Sequence, residues 1–220
     1  PILNVNELMI IVIHNENMHI IQNLITRQGQ NYPWEDILIH HAASQSSVDV
    51  FNLVVSIKWQ PILDNNHSMR PETENSYLTS LDENGEIPLH WGVMKGDHRV
   101  VKRLVEIMLK SGLSVDYRAK NGVTPFHLAC LKQDKELTHL LFDSGANVNE
   151  LDNEGNSVCH LISAIGDKEW LEYLVTKFNL NCFLKNNKGN TALILAILSG
   201  RESVVDYYLT FTPNVNWKNK

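Results

Sequence analysis

Cysteine is scarce in this chain, with three residues (Cys130, Cys159 and Cys182) in 220. An odd count without ligand-type spacing argues against a disulfide framework and against a zinc site. It favours a reducing compartment, the cytosol or nucleus. Clustered cations are also missing: 19 Lys and Arg are scattered among 25 Asp and Glu, for a net charge of −6 and a pI near 5.9. Binding a phosphate backbone requires such clusters, so nucleic acid is not expected as a partner. The nearest basic run, Trp217-Lys218-Asn219-Lys220, reads as a solvated chain end. Long apolar runs are absent too. Leu8–Ile13 is six residues long and has neither a basic leader nor a cleavage site, which excludes a membrane span or signal peptide there. The first residue is Pro1, not Met, which points to a processed or excised fragment.

Catalytic signatures are missing as well. No nucleophile elbow, phosphate loop, dinucleotide fingerprint or His-Glu-x-x-His occurs. His40, His41 and His67 have no acidic or cysteine partner at ligand spacing. No catalytic residue, cofactor or metal is therefore expected.

What the chain does have is register. Gly85, Gly122, Gly155 and Gly189 lie 37, 33 and 34 residues apart, and His90, His127 and His160 follow the first three glycines by five. The aligned segments are Glu-Asn-Gly-Glu-Ile-Pro-Leu-His (83–90), Lys-Asn-Gly-Val-Thr-Pro-Phe-His (120–127), Asn-Glu-Gly-Asn-Ser-Val-Cys-His (153–160) and Asn-Lys-Gly-Asn-Thr-Ala-Leu-Ile (187–194). Between them, residues 118–150 show how one unit reads. Asn121-Gly122 is a turn signal, Thr124 suits a helix cap, and Pro125 suits the first helical position. Phe126, Leu128, Ala129 and Cys130 form a short apolar helix face. Leu137, Leu140, Leu141 and Phe142 form a second, which Gly145 terminates. The 37-residue spacing exceeds 33 by about one helical turn, which the longer second helix Val100–Lys110 accommodates.

A period near 33 residues carrying a Thr-Pro-Leu-His-type signature resembles the ankyrin repeat. The resemblance implies an all-α solenoid of about six stacked helix-turn-helix units with β-hairpin fingers. Regular units are expected at 82–117, 118–150, 151–183 and 184–217 within 82–220, which ends at the start of a further finger. Degenerate units are expected over 1–55, and an irregular insertion over 56–81. Glu35 stands where the first clear turn glycine belongs, and Ile194 replaces the last histidine. In this family the histidine is structural, tying a helix start to the neighbouring turn. Its recurrence at His90, His127, His160 and His40 fits packing better than catalysis, which needs a unique constellation. Cys130 and Cys159 fall at positions expected to be buried.

The resemblance further implies a non-catalytic module that binds a partner protein on its concave face. The alternative is a recruiting arm of a larger enzyme, such as a ubiquitin ligase subunit or a bacterial effector delivered into a host cell. The family's contact positions are the two residues before each turn glycine, the one after it, and two near the end of the first helix. Carried over, these are Glu83, Asn84, Glu86, Met94 and Lys95; Lys120, Asn121, Val123, Leu131 and Lys132; Asn153, Glu154, Asn156 and Ile165; and Asn187, Lys188 and Asn190. Met94, Val123, Leu131 and Ile165 would be apolar anchors in a polar groove. The module is expected to be monomeric by itself. Asn149 resembles finger asparagines that an oxygenase hydroxylates in this family, although an ordinary hydrogen-bonding role is the simpler expectation.

Overall fold

Short apolar stripes at helical spacing, each closed by a glycine or a polar cap, yield twelve α-helices among the described residues. The structure, a computed structural model, describes residues 4–28, 35–58, 76–95 and 97–211. The helices are α1 Val5–His14, α2 Met18–Gln28, α3 Ile37–Ala43, α4 Val48–Lys58, α5 Pro88–Lys95, α6 His98–Lys110, α7 Pro125–Leu131, α8 Lys135–Asp143, α9 Val158–Ile165, α10 Lys168–Phe178, α11 Ala192–Leu198 and α12 Glu202–Phe211. They pair in sequence order into six units. The first helices of successive units pack on one another from α1 to α11. The second helices form the other layer, with α2 on α4, α4 on α6, α6 on α8 and α10 on α12. One apolar core runs unbroken from Met9 to Tyr208. Each helix is too short to persist alone, so its stability comes from these neighbours.

Local chemistry sets the helix ends. Thr124 is extended (φ −101°, ψ 164°) and its side chain accepts the His127 N–H, while Pro125 opens α7. The second helices start on aspartates at one repeat position: Asp97 accepts from Arg99 N, Asp134 from Leu137 N and Asp167 from Trp170 N. Asp134 thus both ends the first helix's pattern and caps the second helix. Helix α6 has 13 residues against 9 in α8, which absorbs the 37-residue spacing.

The fingers expected as β-hairpins are tighter than that. No strand forms among the described residues. Each finger closes on two backbone bonds, the turn-glycine N–H to the carbonyl three residues earlier and a second across the base: Asp82 N to Glu86 O (3.0 Å), Ala119 N to Val123 O (2.9 Å), Asp152 N to Asn156 O (2.9 Å) and Asn186 N to Asn190 O (2.9 Å). The side chains of Asp82, Asp152 and Asn186 accept the finger N–H groups that a partner strand would otherwise take. Fingers instead bond to the next finger, with Lys120 N to Asn84 O (2.8 Å), Asn153 N to Asn121 O (3.0 Å) and Asn187 N to Glu154 O (2.9 Å). This approach is why Gly122 cannot be replaced. Its φ is +82°, and a Cβ there would stand 2.5 Å from Asn153 N and Oδ1.

At the N-terminal units, Glu35 replaces the turn glycine with a side-chain tie, its Oε1 accepting from Asn6 Nδ2 of α1 at 3.1 Å. The end of the insertion forms a 3-10 turn, Ser76–Thr79, with Tyr77 and Leu78 buried against α5. Trp59, His67 and the greater part of the insertion lie outside the described residues, as do Gly29 and the finger start at 214–220.

Two substitutions test this account in opposite directions. Gln133 has φ 59° and is exposed, at the repeat position where Gly166 (φ +97°) and Gly200 (φ +66°) stand. Gln133→Gly should therefore raise stability by about 0.5–1 kcal/mol in denaturant titration, since left-handed strain outweighs the added chain entropy. Gly122→Ala should lower it by about 2 kcal/mol or more, because strain and the clash with Asn153 add.

Candidate interaction face

The recurrent histidines occupy the joints between units. His90 Nδ1 accepts the Ile87 N–H (3.2 Å), which leaves the ring proton on Nε2 to donate to Val123 O (3.2 Å) of the next finger. His160 repeats this with Ser157 N (3.1 Å) and Asn190 O (3.0 Å). His40 Nε2 reaches Glu86 O (2.9 Å), so α3 is joined to the 82–87 finger across the insertion. His127 keeps the Nδ1 bond to Thr124 N (3.3 Å), but its Nε2 meets no acceptor. At Glu86, Val123 and Asn190 the residue after the turn glycine thus offers a carbonyl that closes its own finger and also receives the preceding unit's imidazole, whereas Asn156 O closes its finger alone. Ile194 provides no such group in the last unit. Burial lowers the pKa of His40, His90, His127 and His160, that of His90 to about 4. A second proton would also face a backbone N–H at Nδ1 of His90 and His160.

The joints set which expected contact residues are presented. Glu83, Asn84, Lys120, Asn121, Asn153, Glu154, Asn187 and Lys188 are exposed along the fingertips. Much of their hydrogen-bonding capacity is already engaged between fingers: Lys120 Nζ to Glu83 O (2.6 Å), Asn153 Nδ2 to Lys120 O (2.5 Å) and Asn187 Nδ2 to Asn153 O (2.8 Å). The residues after the turn glycines are not exposed as expected. Glu86, Val123 and Asn190 are half-buried, and Asn156 is only 7% exposed. The Asn156 amide is held between Asp152 Oδ2 (3.2 Å) and Asn186 Nδ2 (2.9 Å), so it belongs to the joint. Lys132 is exposed, but its ammonium donates to Val93 O at the end of α5 (3.0 Å). Lys95 lies over the Trp91 ring at 5.4 Å. Asn149 Oδ1 accepts the Asn181 N–H (2.9 Å), a bond between units and not the closure of one finger.

What remains for a partner is largely apolar. Met94 and Ile165 are 47% and 45% exposed, whereas Leu131 and Val123 are half-buried, so two of the four expected anchors are exposed. Beside them runs a column the sequence reading passed over. Trp91, Leu128, Leu161 and Leu195 each follow the histidine position by one residue, and each is half-buried. Trp91 Nε1 donates to Asp82 Oδ2 (2.9 Å), which fixes the side chain on the finger side of α5. Leu198, at the position of Met94 and Leu131, is 71% exposed. Equal offsets from the histidine were the available signal. The edge of the face toward α1 carries His14 and His41, with Nε2 and Nδ1 2.9 Å apart, and the rings of His40 and His41 stand edge-on to Trp91. No group of three or more His, Cys, Asp or Glu able to hold a metal forms among the described residues. No helix among them is long and apolar enough to cross a membrane.

A stack of helix pairs joined by imidazoles at a 33-residue period is matched by a family model described as ankyrin repeats, 3 copies, over residues 59–152 and 133–219. The chain belongs to the ankyrin-repeat family. Ankyrin relatives include the nuclear factor NF-kappa-B p105 subunit of Gallus gallus, 32% identical over 145 residues, covering 64% of this chain and 15% of that protein. The probable 26S proteasome regulatory subunit p28 of Saccharomyces cerevisiae is 36% identical over 99 residues, 44% of this chain and 42% of that one. Human B-cell lymphoma 3 protein is 30% identical over 134 residues, 60% and 30% of the two chains. The chain therefore spans less than half the length of each of these relatives. Ankyrin repeats are generally protein–protein interaction modules, and their solenoids present extended concave surfaces.

The neutral imidazoles carry a pH dependence. Unfolded histidine protonates near 6.5, whereas buried His90 resists until about 4. Below 6.5 the unfolded chain binds more protons, so stability falls as pH drops from 6.5 toward 4. At about 1.4 kcal/mol per tenfold change in proton affinity, His90 alone accounts for about 3 kcal/mol across that range. His98 acts oppositely: its hydrogen bond to Asp134 (2.7 Å) raises its pKa, so its contribution is present below 6.5 and fades as pH rises through its folded value. Urea titrations across this pH range should show a net loss on acidification, smaller in His90→Asn. A flat profile would refute the neutral-joint assignment.

Proposed function

We propose that this segment binds another protein on the concave side formed by its fingertips and first helices, and performs no chemistry itself. The observation that carries this reading is the apolar column Trp91, Leu128, Leu161 and Leu195, flanked by Met94, Leu131, Ile165 and Leu198, on successive units of a rigid stack. Aromatic and aliphatic anchors ringed by polar groups are the usual core of an interface. The rim suits hydrogen bonding more than charge steering, because its cations are already engaged: Lys188 with Glu154 at 4.0 Å, Arg118 with Glu150 at 3.4 Å, and Lys120 with a carbonyl. The partner is accordingly a polypeptide that inserts apolar side chains between the units. The setting is the cytosol or nucleus, where the resting state of the three cysteines is reduced. A role as the recruiting arm of a larger enzyme would use the same face.

Capture from lysate distinguishes this face from others. Wild type is compared with a Leu131→Arg, Ile165→Arg double variant and with Thr176→Arg, an exposed position on the second helix α10. Proteins retained by wild type and by Thr176→Arg should be lost from the double variant, provided that its thermal unfolding is unchanged. Equal retention by all three would sink the assignment.

A further inference from the structure

Two of the three cysteines meet inside the fold, although 23 residues separate them in sequence. Cys159 lies in α9, the first helix of its unit, and Cys182 in the turn that leads from α10 to the next finger. Their Sγ atoms are 2.8 Å apart. Cys159 is 1% exposed and Cys182 8%. Cys130 is fully buried in α7 and makes no such contact. We propose that Cys159 and Cys182 form a reversible disulfide under peroxide, a modification that staples α9 to the root of the following finger.

The geometry asks little of the chain. A disulfide needs the sulfurs about 2.05 Å apart, so closure requires under about 1 Å of further approach. The order of reaction follows from position. Cys182 is nearer the surface, and its thiol ionises more readily because Cys159 and the Tyr208 hydroxyl hydrogen-bond to it, whereas Cys159 is held well above the usual thiol range. The Cys182 thiolate attacks one peroxide oxygen and breaks the O–O bond; with a proton taken up by the departing hydroxide, this leaves a sulfenic acid and one water. Cys159 sulfur then attacks the Cys182 sulfur, an S–S bond forms, and the S–O bond breaks with loss of a second water. Two thiols are oxidised and one hydrogen peroxide is reduced to two waters. A dithiol reductant reverses the bond by exchange. The closed loop joins two elements of one repeat, so oxidation narrows the unfolded ensemble of that unit and stiffens its seam with α11.

The test uses the full chain and hydrogen peroxide. Reduced protein, unfolded and treated with N-ethylmaleimide, should take three adducts, one per cysteine. After peroxide it should take one, mapped to Cys130, and show a monomer mass lower by two hydrogens. A peptide linking the segments around Cys159 and Cys182 should appear on digestion. The unfolding temperature should rise by several degrees and return on reduction. Cys130→Ala should keep both effects and Cys182→Ala should lose them. Three adducts after peroxide, a link that includes Cys130, or chains joined to each other would overturn the proposal. Peptide mapping of the unsubstituted chain decides the matter even if a variant folds poorly.

Discussion

At three of the four joints the carbonyl of the residue after the turn glycine does two jobs, and the stack depends on it. Glu86, Val123 and Asn190 each accept a backbone N–H that closes their own finger and an imidazole N–H from the preceding unit. Helix pairs of this size bury too little surface to stand alone, so the joint between units is where their stability resides. A buried imidazole suits the joint because it accepts on one nitrogen and donates on the other while remaining uncharged. Backbone bonds between successive fingers, Asn153 N to Asn121 O and Asn187 N to Glu154 O, bring them so close that Gly122 and Gly155 leave no room for a Cβ.

This arrangement shapes the surface left for a partner. The polar groups of Asn153, Asn187 and Lys120 are directed into the joints between fingers, and Lys132 caps α5. Free hydrogen-bonding capacity is therefore modest where asparagine is abundant. On the first helices Leu128, Leu161 and Leu195, each one residue past the joint position, stand half-buried. Stacking thus takes up polar atoms of the finger region and leaves apolar ones partly open.

Features that repeat were legible in the sequence. The glycine spacing located the turns, the apolar stripes located the helix pairs, and the recurrence of histidine identified a structural group. Features that depend on proximity about thirty residues apart were not. Nothing local marks Asn156 as buried, because its amide is held by Asn186 of the next unit. Nothing in a helical window shows that Lys132 reaches Val93 or that Cys159 touches Cys182. The aspartate caps were readable, since Asp97, Asp134 and Asp167 share one repeat position. The fingers departed from strand pairing because Asp82 and Asp152 satisfy the N–H groups that a strand would have used.

Because the imidazole donor and its carbonyl acceptor recur at fixed offsets, the joints are interchangeable in principle. Excising one complete period, or duplicating it, brings together ends that already carry matching groups. Removing part of a period strands a donor or an acceptor in the dry interior. The extra turn of α6 is tolerated because it lengthens a helix without moving either half of the bond. Such a chain can lengthen or shorten in whole quanta, and its ancestry should be written in steps of one period.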